Sequence, residues 1–225
     1  MKKYLNVLKK CLLFSDINED ELIFMLGCLG GKIKRFEKRE TVFYEGEPAR
    51  DVGIVLSGNV QISQIDYYGN RSVLGNVYEG EVFAEAFACA AVSALPVSVI
   101  ANEQSDIMII DCSHILHTCE RNCAFHQKLI FNLMTDLAKK TITFHERIGL
   151  TSKRTTRDKL MAYLTLYAKK CGSNSFSIPF DRQELADYLE VDRSGLSAEI
   201  SKLRREGVLE SERKHFKLLS LSAKR

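Results

Sequence analysis

The sequence predicts an α+β protein in which an all-β region precedes a long helix, and a basic pair of helices lies near the C-terminus. Three observations predict this order. Short β-rich runs, broken by turn residues about every 8–12 residues, fill positions 33–111. Apolar residues with a heptad repeat follow within 114–151. The stretch 180–207 contains two helical segments, each starting at an aspartate.

In the region 33–111, the turn residues are spaced as in a small β-barrel or β-sandwich. Turn signals occur at Glu45-Gly46, Ser57-Gly58, Tyr68-Gly69-Asn70 and Glu79-Gly80. The run from Val60 to Ile65 largely alternates apolar and polar residues, so we expect one buried and one wet face. No long helix is expected here.

A heptad stripe within 114–151 predicts a long helix with one strongly apolar side. Its residues follow alternating steps of four and three: Ile130, Met134, Leu137, Thr141, Phe144 and Ile148. Leu129 and Leu133 widen the apolar face at its start. The stripe could pack on the chain's own β region or form a parallel helix–helix dimer seam. We favour the dimer, because a sustained a/d stripe is narrower than globular packing usually needs.

The last third of the chain predicts three helices and a terminal hairpin. A helix over 155–171 ends at Cys171-Gly172-Ser173, and FSIPF follows as a short strand. Asp181 with Glu184 resembles a capping box, and Asp192 caps a second helix that stops at Gly207. Two short strands with a basic turn come after Gly207.

The second helix of the pair predicts a DNA-reading surface. Leu196, Ile200 and Leu203 share one face and should be buried, which leaves a short-chained, hydroxylated and basic opposite face. Such a face can enter a major groove, and the basic turn can contact phosphates as a wing. A helix-turn-helix without a DNA partner is the alternative. The DNA-binding candidates are Arg182, Gln183, Arg193, Ser194, Ser197, Ser201, Lys202, Arg205, Arg213 and Lys214.

The charge distribution supports a polyanion partner for the same part of the chain. Residues 1–150 carry 16 lysines and arginines against 19 acidic residues, a net of −3. Residues 151–225 carry 16 against 10, a net of +6.

We expect a cytoplasmic protein without a membrane partner. The N-terminal apolar run is only CLLF, too short for a secretory signal, and the least charged stretch, 86–101, is too short to span a membrane and contains Pro96. The seven cysteines are therefore expected as thiols or metal ligands.

Taken in order, these segments resemble the CRP/FNR family of bacterial transcription regulators. The motifs that carry the resemblance are YEG at 44–46, VLSG at 55–58, GEVFAE at 80–85, and RQELA at 182–186 leading to DRS at 192–194. The resemblance implies an N-terminal double-stranded β-helix domain (a jelly-roll similar to cyclic-nucleotide-binding domains), a long dimerisation helix, and a C-terminal winged helix-turn-helix. The corresponding bounds are 1–118, 119–151 and 152–225.

The same resemblance implies a homodimer on a near-palindromic operator, an effector-sensing β-roll and, for an activator, a contact with RNA polymerase. Arg193, Ser194 and Ser197 match base-facing positions of the family. The next position, commonly Arg in the family, is Ala198 here, so an operator sequence cannot be transferred from relatives.

The segment from Gly80 to Ala101 resembles the phosphate-binding cassette of cyclic-nucleotide sensors. Glu85 matches the glutamate that holds the ribose hydroxyl, but the Arg-Ser positions fall near Leu95-Pro96, and no Arg lies between Arg71 and Arg121. A phosphate buried without a cation loses its charge-assisted bonds, so cyclic AMP is not expected as the effector. The effector-binding candidates are Gly80, Glu81, Phe83, Glu85, Ala86 and Cys89.

Cysteine placement suggests a metal, haem or redox signal as the alternative effector. Cys119, Cys123 and His126 share one helical face, and Cys89 could approach it. The spacing has low specificity, and small apolar cysteines packed between the roll and the helix, with His126 hydrogen-bonded, are the favoured explanation.

Two other function classes are less consistent with the sequence. A cyclic-nucleotide-type regulatory module without DNA binding would not need a capped, basic helix pair. An enzyme is not expected, because the sequence contains no phosphate loop, no Gly-x-Ser-x-Gly elbow and no His-Glu-x-x-His motif. No catalytic residue is therefore predicted.

Overall fold

The computed structural model describes residues 2–65, 67–68, 71–117 and 124–219. The chain divides into two compact units, Met1–Lys139 and Lys140–Arg225. The division falls inside the long helix α5 (Ala124–Thr151), defined with the other elements below. Within the described ranges, no helix combines the length and apolar character needed to cross a membrane.

The first unit begins with helices that the sequence analysis did not predict. Helical turns at Lys2–Tyr4 and Leu12–Phe14 flank α1 (Leu5–Lys10), and α2 (Glu19–Leu29) follows. A complete capping box between Asn18 and Glu21 starts α2, and Gly30 ends it with φ +61°. These helices bury Leu8, Leu13 and Leu22 completely, so they form part of the core.

Eight strands and two short helices make up the predicted β region. They are β1 (Lys32–Phe36), β2 (Thr41–Phe43), β3 (Asp51–Ser57), β4 (Val60–Ile65), β5 (Arg71–Val77), β6 (Val82–Phe83), α3 (Glu85–Cys89), β7 (Ser98–Ala101), β8 (Ser105–Asp111) and α4 (Cys112–Leu116). Two antiparallel sheets form, with strand orders β1-β8-β3-β6 and β2-β7-β4-β5. The buried core of these strands includes Val55, Val60, Phe83 and Ile107. The prediction of a jelly-roll-like β domain is confirmed.

Helix α5 presents two different faces. Leu129 and Leu133 are buried in the core of the first unit, and Leu137 packs against that core. The rest of the predicted seam is more exposed: Met134 is 64%, Phe144 61% and Ile148 62% exposed. The residues that widen the stripe thus pack in the first unit together with Leu137, whereas much of the heptad stripe itself is exposed in the single chain.

The second unit contains three helices and a three-stranded sheet. Its elements are α6 (Thr156–Cys171), β9 (Ser175–Ser177), α7 (Arg182–Leu189), α8 (Arg193–Arg205), β10 (Leu209–Glu212) and β11 (His215–Leu218). The strand order is β10-β11-β9. Gly172 and Gly207 have φ of +62° and +69°, as their predicted roles as helix stops require. This is the predicted winged helix-turn-helix architecture.

Candidate nucleic-acid interface

Two local backbone hydrogen bonds stabilise the turn between α7 and α8. The Val191 N–H donates to the Ala186 carbonyl and the Glu190 N–H to the Asp187 carbonyl, the pattern of a Schellman motif. Glu190 takes the left-handed position with φ +53°. The Lys159 ammonium donates to the carbonyls of Leu189 and Glu190, both at 3.2 Å, which stabilises the C-terminal end of α7. The angle between the two helices is therefore fixed locally.

Asp192 orders the start of α8. Its carboxylate accepts from the Gly195 N–H at 2.8 Å and from the Ser194 hydroxyl. The Ser194 hydroxyl and then the Gly195 N–H hold the pKa of Asp192 below its usual value. The cap satisfies a first-turn N–H that would otherwise need water or a ligand.

The predicted division of α8 into two faces is confirmed. Leu196, Ile200 and Leu203 are buried in the core of the second unit. Arg193, Ser194, Gly195, Ser197, Ala198, Ser201, Lys202 and Arg205 are all exposed. Because the exposed residues that follow Arg193 in the N-terminal half of α8 are small, the helix backbone can closely approach another surface there.

Two candidate side chains on the helix pair are engaged within their own helices. The Ser201 hydroxyl donates to the Ser197 carbonyl at 2.9 Å, so it remains able to accept a hydrogen bond. The Gln183 amide donates to the Asp187 carboxylate at 2.8 Å. Both interactions are exposed and can exchange for contacts to a ligand.

Arg182 lies in a different environment from the other candidates. Its guanidinium stacks 4.9 Å from the centre of the Phe216 ring and donates to the Ser211 hydroxyl at 3.3 Å. Burial, and then the charge of Arg204, lower its pKa. This side chain links α7 to both strands of the hairpin, a packing role that the sequence position did not indicate.

The hairpin β10–β11 carries the predicted basic turn. Arg213 is exposed and has φ +49°, a conformation that favours glycine. The Lys214 ammonium donates to the Pro179 carbonyl at 2.7 Å and lies 3.8 Å from the Glu184 carboxylate. Lys214 is thus held back towards the start of α7, while Arg213 extends from the tip.

A concave surface beside the hairpin also contains basic residues that were not among the predicted DNA-binding candidates. It is lined by Arg204, Glu210, Ser211, Glu212, Arg213, His215 and Lys217. His215 is fixed there, because its Nε2 and Nδ1 lie 3.0 Å from Ser175 Oγ and 3.1 Å from Ser177 Oγ. The alternation of exposed and buried residues along strand β11 could have identified His215 and Lys217 from the sequence, because it places both on the exposed side.

The effector candidates of the β domain do not lie on one open surface. Phe83 and Glu85 are buried, whereas Glu81 and Ala86 are exposed. Gly80 has φ +85°, and Ala84 takes the left-handed conformation with φ +63° at the start of α3. A Cβ at Gly53 would lie 2.1 Å from the Phe83 ring, so this aromatic ring fills the space beside β3.

The metal candidates are only partly within the described residues. Cys119 and Cys123 lie outside them. His126 is buried, and its Nε2 lies 3.3 Å from the His114 carbonyl oxygen. Cys89 lies beside Cys112, a partner that the sequence analysis did not consider, with 3.6 Å between the sulfurs. Within the part of the chain that the structure describes, no group of three or more His, Cys, Asp or Glu side chains could hold a metal ion.

Two family models match the two parts of this chain. The cyclic nucleotide-binding domain matches residues 33–122, and the Crp-like helix-turn-helix domain matches residues 158–223. The first covers the β domain described above, and the second covers the helix pair and the hairpin.

Curated relatives share both parts. Electron transport regulator A of Shewanella oneidensis is 22% identical over 201 residues, which cover 81% of this chain and 73% of the relative. Transcriptional activator protein FnrL of Cereibacter sphaeroides is 21% identical over 202 residues, covering 83% and 76% respectively.

A solved structure shares the fold. The c-di-GMP responsive global regulator CLP from Xanthomonas campestris has a TM-score of 0.58 and 19% identity, covering 88% of this chain and 99% of that chain.

Proposed function

Because the chain belongs to the CRP/FNR family of transcription regulators, we propose that it binds a near-palindromic operator as a homodimer, with the exposed face of α8 in the major groove. Residues 1–118 serve as the effector-sensing domain, 119–151 as the dimerisation helix and 152–225 as the DNA-binding domain. The protein acts in the cytoplasm as a regulator without a catalytic site, and it contacts RNA polymerase if it is an activator.

The proposed DNA-binding surface depends mainly on one observation. The side of α8 opposite Leu196, Ile200 and Leu203 is exposed and contains Ser194 and Ser197, with no large side chain between them. Small residues allow the helix backbone to approach base edges, and hydroxyls can donate or accept there. Had these serines been buried, the helix could not read a groove through them.

Individual roles follow from these environments. The residues that contact base edges are Arg193, Ser194 and Ser197. Contacts to nearby bases or phosphates come from Gln183, Ser201, Lys202 and Arg205. Arg213 at the hairpin tip contacts a backbone phosphate. Lys214 reaches the same backbone only after it releases the Pro179 carbonyl. Arg182 supports the interface by holding the hairpin against α7.

The apolar face of α5 supports the homodimer. Met134, Phe144 and Ile148 are more than half exposed in the single chain, although water contact with large apolar side chains is unfavourable. A second copy of α5 would cover this face. Two copies would then present two α8 helices to the two halves of a palindrome.

The effector is not cyclic AMP. Residues 72–120 contain neither arginine nor lysine, so the β domain offers the cyclic phosphate no cation from that segment. At the position expected for the phosphate ligands, the Leu95 N–H donates to the Glu47 carbonyl at 2.8 Å and its carbonyl accepts from the Gly46 N–H at 2.9 Å. These backbone groups are therefore already paired.

Selection of operator fragments by the purified full-length protein tests the proposal. A random duplex library should yield an enriched palindrome, and binding to it should weaken steeply as salt rises. Enrichment of no sequence, or a monomeric footprint on one half-site, would contradict it. Separately, isothermal titration with cyclic AMP and cyclic GMP should show no binding at micromolar concentrations, and a micromolar dissociation constant for either would refute the effector assignment.

A further inference from the structure

Cys89 and Cys112 form a thiol pair in the β domain. Cys89 is the last residue of α3, and Cys112 is the first residue of α4. Their sulfurs lie 3.6 Å apart although 23 positions separate them along the chain. Both thiols are unbridged in this structure. Contact between two sulfurs in separate elements is the arrangement from which a disulfide can form with a small movement.

We propose that hydrogen peroxide converts Cys89 and Cys112 into a disulfide that joins α3 to α4. The Cys89 sulfur attacks one peroxide oxygen, the O–O bond breaks, and the products are a Cys89 sulfenic acid and water. The Cys112 sulfur then attacks the Cys89 sulfur and displaces the hydroxyl, which leaves as a second water with the Cys112 proton. Two thiols together lose two electrons, and hydrogen peroxide is reduced to two molecules of water.

The two cysteines differ in the way that these two steps require. Cys89 is half-buried and can meet a small oxidant, whereas Cys112 is only 3% exposed. A buried second thiol is reached by the sulfenic acid beside it and is protected from the oxidant itself. Cys89 is therefore the attacked residue, and Cys112 is the residue that closes the bond.

The environment of the pair makes the reaction slow at neutral pH. Burial raises the pKa of Cys89, and burial together with the neighbouring Cys89 raises the pKa of Cys112 to about 12. The thiolate is the reactive form, so the reaction accelerates as pH rises towards these values.

Closing the bond would alter the packing that seats α5. The sulfurs must approach from 3.6 Å to about 2.05 Å, through rotation of the two side chains together with movement of α3 relative to α4. Cys112 belongs to the same buried cluster as Leu129 and Leu133 of α5, and Cys89 packs against that cluster. Close-packed interiors transmit such shifts. The resulting effect on DNA affinity rests on the proposed function, whereas the disulfide itself does not.

Peptide mapping of the full-length protein tests the bond directly. The reduced protein is exposed to hydrogen peroxide at about pH 8, where thiolates are more abundant, then its free thiols are blocked in denaturant and it is digested. We expect a peptide that links residues 89 and 112, and reducing agent should remove the link. Peroxide oxidation of Cys28 without any link between residues 89 and 112 would overturn the proposal.

Two variants and a matched control assign the link. Cys89→Ser and Cys112→Ser should each abolish it, whereas Cys28→Ser, at an exposed cysteine of α2, should leave it unchanged. A link that forms with the same yield after unfolding in urea would show that the folded pair does not direct it, and would contradict the proposal. The mapping on the unaltered chain does not depend on the folding of either variant.

The regulatory effect is measured on the selected operator fragment. Reduced and oxidised protein should differ in operator affinity by about fivefold or more, and Cys89→Ser should remove the difference. Equal affinities with the link fully formed would refute the regulatory effect. If the reduced protein binds no operator at all, the proposed function fails while the mapping result still decides the disulfide.

Discussion

The guanidinium of Arg182 lies 4.9 Å over the ring of Phe216, so the first residue of α7 is joined to the last strand of the hairpin. The same guanidinium donates to the Ser211 hydroxyl of β10. A cation above an aromatic ring and a charged hydrogen bond both favour one position of the hairpin relative to α7. Arg182 therefore contributes to the position of the hairpin relative to α7.

This interaction predicts that the main effect of Arg182→Ala is a loss of stability. The substitution removes the stacking on Phe216 and the bond to Ser211, and we expect the free energy of unfolding of the C-terminal unit to fall by about 1–2 kcal/mol. Urea unfolding with hydrogen-exchange detection in 209–218 measures it. Arg193→Ala, at an exposed arginine of α8, is the matched control and should change stability by less than about 0.5 kcal/mol. Equal stability of both variants would remove the packing role.

Arg193→Ala should instead reduce sequence preference. An arginine that bonds a guanine edge contributes about 1–3 kcal/mol of discrimination between correct and incorrect base pairs. Competition titrations against the selected operator and a scrambled duplex measure the ratio of the two affinities. Lys169→Ala removes a positive charge from the last turn of α6 and should preserve that ratio. A proportionate loss on both duplexes would mean that Arg193 contacts phosphate only.

Arg213→Ala should weaken binding to all duplexes alike. A side chain that neutralises a phosphate releases a counterion when the protein binds. Its removal makes the plot of log affinity against log salt less steep, by about 0.9 for one hairpin or about 2 for the two hairpins of a dimer. Binding measured over a range of salt concentrations gives this slope. Lys10→Ala, at an exposed position of α1 in the other unit, should leave the slope unchanged. A change in sequence preference with an unaltered slope would contradict the phosphate role.

Short-range signals in the sequence predicted much of the helix-turn-helix. The caps at Asp181 and Asp192 depend on residues within three positions, and the stops at Gly172 and Gly207 depend on a single conformational preference. The burial of Leu196, Ile200 and Leu203 followed from helical periodicity. Such features can be predicted because the residues that cause them are neighbours in the chain.

Features that depend on distant parts of the chain were not predicted. Glu190 and Arg213 take left-handed conformations that their residue types do not favour, so neither position gave a local signal. The approach of Cys89 to Cys112 depends on how α3 meets α4, which no local pattern encodes. The start of α2 was different: the capping box of Asn18 and Glu21 was present in the sequence and was not interpreted.

Met134→Asp should convert the protein to a monomer. Met134 is 64% exposed in the single chain, so a carboxylate there costs the fold little, but two copies would be buried together at a dimer seam. Sedimentation at micromolar concentration measures the mass. Thr143→Asp adds the same charge nine residues away, on the opposite side of the helix, and should remain dimeric. A dimer in both variants would exclude the seam. Operator binding should fall with the dimer.

Asp106 joins the N-terminal turn to the β domain. It is 7% exposed, and it accepts from Arg35 Nε at 2.8 Å, from another Arg35 nitrogen at 3.1 Å and from the Tyr4 hydroxyl. The hydrogen bonds from Arg35, and then from Tyr4, hold the pKa of this carboxyl far below its usual value. The ionised form is therefore the one that the fold stabilises.

Asp106→Asn should destabilise the first unit by about 2 kcal/mol at neutral pH, because a charged acceptor of several hydrogen bonds becomes a neutral one. A lowered folded-state pKa means that the unfolded chain binds the proton more readily in acid. The stabilisation is fully present above the unfolded value of about 3.9 and is lost progressively as pH falls from there through the lowered folded-state pKa, so the variant and the parent protein should approach each other only in strong acid. Urea unfolding at a series of pH values measures both curves. Asp16→Asn, at an exposed residue whose left-handed conformation Asn tolerates, should follow the parent protein throughout. A constant gap between Asp106→Asn and the parent protein down to strongly acidic pH would show that packing, and not the charge, accounts for the difference.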